Sequence, residues 1–266
     1  MFNAVVERGA SALIAAVMSV SAIFSPAPPD TNKYLALGDS ITTGYGLADK
    51  EESFAAVTAK ILGMELDNLA VDGMTSAGLL ETVLDEKNED KIKNAELITI
   101  SIGGNDFLQL FFGIIRRAAD FPENATFTDL QQALLNIDNL LPRLEEELAK
   151  PETGEAFKAA VELFAVNLDR IIAEIRRLNP NAKIVVQTLY NPFSGAPVFS
   201  GLEDFADKYT GLLNAEIFAQ SKNFSVADTA KAFAGRGLEL TNILFLDVHP
   251  NKAGHRMIAG LVANAV

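Results

Sequence analysis

The feature that most constrains the fold is a repeated switch between two hydrophobic periods. Short runs of continuous apolar character, Tyr34 to Leu37, Leu97 to Ile102 and Lys183 to Leu189, are too short for helices, and longer stretches with apolar residues at helical spacing separate them. A strand that is apolar on both faces must be covered on both faces, as in a parallel sheet with helices above and below. Glu65 to Val71 and Phe224 to Ala227 read as further strands. Glu51 to Leu62, Ala77 to Leu84, Phe107 to Ala119, Leu202 to Gln220 and Asn251 to Val262 read as helices. From Phe107 to Ala119 and then Thr128 to Leu178 the chain is long and mostly helical, with interruptions expected near Pro122, Pro142 and Pro151. The alternation predicts an α/β domain of three layers around a central parallel sheet, with a helical insertion over about residues 107–178.

The chain before this pattern is different in kind. Gly9 to Phe24 is almost wholly apolar or small, and Ser25-Pro-Ala-Pro-Pro-Asp30 follows it. The apolar stretch is shorter than the roughly 20 residues of a spanning helix, and Val20-Ser21-Ala22 offers the small residues a signal peptidase needs. Residues 1–30 therefore read as a signal-peptide-like or tethering segment with a proline-rich linker, and 31–266 as the folded domain. The expected location is secreted or extracytoplasmic, with a membrane tether if the segment stays uncleaved. The other reading is an amphipathic helix packed on the domain.

Composition removes several functions. A net charge of -13 with no clustered Lys and Arg excludes a nucleic-acid partner and disfavours anionic lipid surfaces. The absence of cysteine removes disulfides, thiolate catalysis and thiolate metal sites. With His249 and His255 as the only histidines and no HExxH-like spacing, no metal site and no cofactor are expected. A monomer is expected.

Four segments carry chemistry. The strand Tyr34 to Leu37 ends in Gly38-Asp39-Ser40, which puts Ser40 in a sharp turn at the carboxyl end of a strand, the edge where open α/β sheets bind ligands. Such a serine is either an exposed nucleophile or a helix cap. Asn68-Leu-Ala-Val-Asp-Gly73 follows the second strand, so the Gly73 amide either faces the same crevice or belongs to an ordinary turn. Gly103-Gly-Asn-Asp106 follows the third strand, where Asn105 offers a neutral side-chain N–H and Asp106 reads as a helix N-cap. Asp247-Val-His-Pro-Asn251 precedes the last helix and holds His249, the side-chain type best suited to taking a serine's proton near neutrality. His255 reads as a surface or packing histidine.

In this order the four segments resemble the blocks of the GDSL, or SGNH, hydrolases: Gly38-Asp-Ser-Ile41, Gly73, Gly103-Gly-Asn-Asp106 and His249-Pro250, spanning about Tyr34 to Ala259. The resemblance implies a flavodoxin-like fold and ester hydrolysis through an acyl-serine. Ser40 is then the nucleophile, its own N–H, the Gly73 N–H and the Asn105 side chain form the oxyanion hole, and His249 is general base and then acid. Ile41 stands where the family usually has leucine. The family usually places its aspartate three positions before the histidine, whereas position 246 is Leu and Asp247 stands two before. Either Asp247 reaches the ring by another loop course or a main-chain carbonyl orients it. Phe107 to Ile115 could wall a fatty acyl chain, which favours lipid-like or lysophospholipid esters over acetylated carbohydrates. The competing class is a non-catalytic cell-surface binding module on the same fold.

Overall fold

The computed structural model describes residues 32–122, 124–126, 129, 137–197 and 200–266, so the segment 1–30 and part of the expected insertion lie outside the described residues. Five parallel strands form the central sheet in the order β2-β1-β3-β4-β5: β1 Lys33–Gly38, β2 Glu65–Asn68, β3 Leu97–Ser101, β4 Lys183–Gln187 and β5 Ser225–Ala227. Side chains alternate across each strand, and the sequence supplies apolar groups to both sides. Leu35, Leu37, Ile98, Ile100, Ile184 and Val186 face one core, and Tyr34, Ala36, Leu97 and Val185 face the other. The one polar pair within this block, Tyr34 and Thr99, is satisfied internally by a 2.7 Å hydroxyl contact.

The first core is closed by α3 (Ser76–Leu84), α4 (Glu89–Asn94), α5 (Gly104–Ala118), α6 (Ile137–Ala149), α7 (Pro151–Leu178) and α8 (Ser200–Gln220). The second is closed by α2 (Phe54–Leu62), α9 (Thr229–Phe233), α10 (Gly237–Leu240) and α11 (Lys252–Ala265). One four-residue helix, α1 (Ser40–Thr43), sits at the end of β1, and a short antiparallel hairpin, β6 (Thr241–Asn242) with β7 (Asp247–Pro250), precedes α11. This is the α/β/α architecture expected from the alternation.

The differences from that expectation are local. Strand β2 ends at Asn68 rather than Val71, because the Asn68 side chain turns back to accept the Ala70 amide. Pro142 lies inside α6 and does not end it; a proline forfeits one main-chain bond, and burial of Leu140 and Leu144 holds the helix in place. Pro151 instead occupies the first turn of α7, where no N–H is needed. The acidic residues at 51 and 52 belong to a separate 3₁₀ turn, and α2 starts only after Ser53 caps the Ala56 amide.

His255 is not a surface residue. It is fully buried on α11, and its Nδ1 accepts the Phe54 main-chain N–H at 3.1 Å. Burial, followed by the nearby charges of His249 and Lys50, pushes its pKa down to about 4. Asp39, 2% exposed beneath Ser40, is displaced the other way. Burial raises it to about 7 against the Ile41 hydrogen bond and the attraction of His249.

These two shifts oppose one another as pH changes. Between about pH 4 and 6.5 the unfolded chain carries a proton on His255 that the folded one lacks, so this residue contributes stability as pH rises. Over the same window the folded chain carries a proton on Asp39 that the unfolded one lacks, so this residue takes stability away as pH rises. The pair should nearly cancel. In chemical denaturation, Asp39→Asn should gain stability relative to the parent protein by on the order of 1.4 kcal/mol per pH unit across that window. His255→Gln should lose a similar amount, and parallel pH curves for all three proteins would show the shifts to be misassigned.

Candidate active site

The site is built at the carboxyl edge of the sheet, where β1 and β3 end side by side. Gly38 closes β1 with φ +140, and a Cβ there would lie 2.1 Å from the Ser101 carbonyl of β3, so only glycine fits. The chain then turns straight into α1. Asp39 is its N-cap, accepting the Ile41 amide at 3.0 Å, and Ser40 is the first helical residue rather than the cap. The first amides of a helix have no acceptor within it, so the Ser40 N–H projects from the same turn as its hydroxyl.

The histidine arrives from the other end of the chain. His249 lies in β7, and its Nε2 is 2.8 Å from Ser40 Oγ across 209 positions of sequence. On the far side of the ring, Nδ1 is 2.5 Å from Asp247 Oδ1, which also accepts the His249 main-chain N–H at 3.0 Å. The aspartate two residues before the histidine therefore does touch the ring. In an extended strand, residues i and i+2 share a face, so Asp247 and His249 project together without any turn between them. The shift falls on Leu246, which takes the left-handed conformation (φ 57) after the 3₁₀ turn Ile243–Phe245 and restarts the chain as a strand.

Electrostatics fix the tautomer. Partial burial raises the Asp247 carboxyl, but hydrogen bonds from the His249 ring and amide, with the more distant Asn242, outweigh it and hold it below its ordinary value. An ionised carboxylate only accepts, so Nδ1 carries the ring proton and Nε2 is left to accept from Ser40. Behind the strand, the buried Tyr190 hydroxyl donates to the Val248 carbonyl at 2.8 Å. Burial, then the charges of Asp39 and Asp247, hold that phenol well above its ordinary range, so it stays a donor.

The remaining sequence candidates stand on segments bonded to the serine's loop and to one another. Val71 to Met74 forms a turn closed by the Met74 amide on the Val71 carbonyl at 3.1 Å, with Gly73 at φ +78 in its third position. A type II turn needs glycine there, and its closing bond leaves the Gly73 N–H unused by the turn. The Val71 amide bonds the Gly38 carbonyl at 3.1 Å and Thr43 donates to Asp72 at 2.5 Å, which ties this turn to the serine's loop. Asn105 lies in the first turn of α5 and donates one side-chain N–H to the Met74 carbonyl at 2.9 Å. A carboxamide has a second.

Asp106 is not the cap of its own helix. That place belongs to Gly103, without a side-chain bond, and Asp106 instead accepts from Ser76 at the start of α3. Sequence reading also missed Tyr45 and Asn242. The Tyr45 ring lies 4.6 Å from the His249 ring, tilted by 41°, and Asn242 is 3.5 Å from Asp247 Oδ2. Tyr45 stands in the same glycine-rich stretch as Ser40, a signal of proximity without a role attached. Among the described residues no group of three or more His, Cys, Asp or Glu is arranged to hold a metal ion, and no helix is long and apolar enough to cross a membrane.

Residues 36–257 match the GDSL-like lipase/acylhydrolase family. The chain belongs to that family. It is a family of lipases and acylhydrolases, so the chain is a carboxylic ester hydrolase, and Ser40, Asp247 and His249 all lie within the matched residues. The chain is 25% identical over 238 residues to the protein YpmR of Bacillus subtilis (strain 168), covering 87% of this chain and 80% of that one. It is 24% identical over 237 residues to the spore germination lipase LipC of Bacillus licheniformis, covering 86% of this chain and 93% of that one. The phospholipase A1 of Streptomyces albidoflavus NA297 shares the fold, with a TM-score of 0.61, 18% identity and coverage of 88% and 99%.

Proposed function

We propose that this GDSL-family hydrolase cleaves lipid-like acyl esters through an acyl intermediate on Ser40, with His249 as the proton carrier and Asp247 as the group that orients it. The observation carrying the proposal is the 2.8 Å contact between Ser40 Oγ and an imidazole nitrogen whose other face is bound to a carboxylate. A serine alone is a weak nucleophile, and a base within hydrogen-bond reach is what activates it.

In the first half-reaction His249 Nε2 takes the hydroxyl proton as Oγ forms a bond to the ester carbonyl carbon. The carbonyl oxygen becomes an oxyanion and receives the Ser40 and Gly73 amides and the second N–H of Asn105. The C–O bond to the alcohol then breaks, and the proton on Nε2 passes to the departing oxygen. Water repeats the sequence in reverse roles: its proton goes to Nε2, its oxygen to the acyl carbon, and the proton returns to Ser40 Oγ as the acid leaves. No cofactor enters this balance.

Support for a long acyl group comes from the likeness to LipC, named a lipase. The stripe from Phe107 to Ile115 adds little to it: Phe107, Phe111, Ile114 and Ile115 are buried in the core, and the half-buried Leu110 and Phe112 pack against that core, which leaves the half-buried Leu108. The alternative of a non-catalytic binding module would rest on a displaced Asp247 and on a tether; the carboxylate is 2.5 Å from the ring, and the tether falls in residues 1–30, outside the described residues.

Ser40→Ala should fold normally, lose nearly all turnover of a short p-nitrophenyl ester and escape labelling by a fluorophosphonate; parental activity in this variant would overturn the assignment. Asp247→Asn should lose about 10⁴ in turnover, as comparable triads do, whereas a loss under about tenfold would assign orientation to a main-chain carbonyl. Across p-nitrophenyl esters from acetate to long acyl chains, kcat/KM should peak beyond acetate. A maximum at acetate would reject the lipid-like substrate.

A further inference from the structure

The reaction needs the Gly73 amide and the Asn105 side chain in one register, yet they stand on different elements, the turn before α3 and the first turn of α5. The contacts that hold them together extend beyond the residues named so far. Asp106 grips Ser76 at two points: Oδ2 accepts its main-chain N–H at 2.9 Å, and Oδ1 accepts from its hydroxyl at 2.5 Å. Ser76 Oγ in turn accepts from Asn167 Nδ2 at 2.9 Å. Ser76 is fully buried and Asn167 is 4% exposed. Asn167 projects from α7, a helix of 28 residues seated in the core through Phe157, Phe164, Leu168 and Ile171.

We propose that Asn167, acting through Ser76 and Asp106, is a positioning residue for the oxyanion donors, and that this chain of bonds couples the long helix α7 to the reaction site. The proposal rests on the ester-hydrolase reading above. The Ser76 hydroxyl is the relay: it receives a hydrogen from α7 and gives one to the residue that follows Asn105. Removing Asn167 takes from the buried Ser76 oxygen the hydrogen it accepts, and removing the Ser76 hydroxyl takes this partner from both Asn167 and Asp106, losses made good only if the turn or α5 shifts. A shift of a fraction of an ångström at the donors is felt where the oxyanion forms and little in the ground state, because charge on that oxygen exists only near the transition state. A positioning role therefore acts on kcat. A brace that merely stabilised the fold would lower the melting temperature and leave kcat alone at permissive temperature.

The variants are Asn167→Leu, which keeps the branching at Cγ but cannot donate, and Ser76→Ala, which removes the relay yet keeps the main-chain N–H for Asp106. In the full chain, assayed on a p-nitrophenyl ester well below each melting temperature, each should lose about tenfold or more in kcat with KM within about threefold. Affinity for a trifluoromethyl ketone, which forms a tetrahedral oxyanion adduct on an activated serine, should fall in parallel with kcat. The double variant should be no worse than the poorer single one, since both cut the same path. Unchanged kcat in the folded variants, a loss confined to KM, or losses that multiply would overturn the proposal. So would failure of both variants to fold, which would make the contact a structural brace. The parent protein in the same assay keeps the two readings apart: absence of ester turnover there would sink the hydrolase, whereas normal turnover in Asn167→Leu would sink only the positioning role.

Discussion

An ionised carboxylate can only accept hydrogen bonds, and the chemistry available to this site follows from that constraint. With Asp247 charged, the proton of the neutral His249 ring is pinned to Nδ1, and the lone pair on Nε2 is aimed at Ser40 Oγ. Were Asp247 neutral, it could donate to Nδ1 and reverse the tautomer, leaving Nε2 as a second donor facing the serine. The partial burial of Asp247 favours that failure, and the two hydrogen bonds from His249 itself prevent it. The two side chains thus determine one another's protonation, and both sit on one short strand whose geometry brings them together before any long-range packing is considered.

The sheet does the long-range work. Ser40, Gly73 and Asn105 stand after β1, β2 and β3, three adjacent parallel strands whose carboxyl ends form one edge. Parallel pairing makes those ends neighbours whatever the helices between them contain. The hairpin carrying His249 belongs to no strand of that sheet. It is held from outside by Tyr190 at its back and by α11, where Ile258 and Val262 are buried in the second core. The serine side is thus fixed by strand register and the histidine side by helix packing.

This division explains what the sequence revealed. Continuous apolar runs announce doubly covered strands because nothing else tolerates them, so the layers and the order of elements were legible. Ser40, Gly73, Asn105 and His249 were visible as residue types at strand ends. The contact of Asp247 with the ring was open because the loop course was unknown; the period of two in an extended strand was the missing fact, and hairpin strands of two and four residues are too short to show a pattern. The choice between surface and packing for His255 stayed open for a related reason, since its acceptor role depends on the Phe54 amide 201 positions away. Asp106 looked like the cap of its own helix and instead accepts the first amide of the neighbouring one, whose cap is Thr75, a pairing no local motif encodes.

The carboxyls around the serine raise a further question, because a negative charge beside the proposed oxyanion donors would oppose the proposed reaction. Asp39 caps the helix that begins at Ser40, and Asp106 stands at the start of two helices, α3 and α5. Full charge on both would offset the positive ends of those helices, where the proposed mechanism calls for them. Two effects limit this. Burial raises Asp39 to about 7, so near neutrality it is charged only part of the time, and its hydrogen bond from Ile41 survives either way because one carboxyl oxygen still accepts. Asp106 spends its charge on the Ser76 amide and hydroxyl, both within 3 Å, and such charge-assisted bonds draw its field inward. The acidic groups nearest the serine therefore act on backbone geometry first, and the site keeps helix starts as donors without surrendering their polarity.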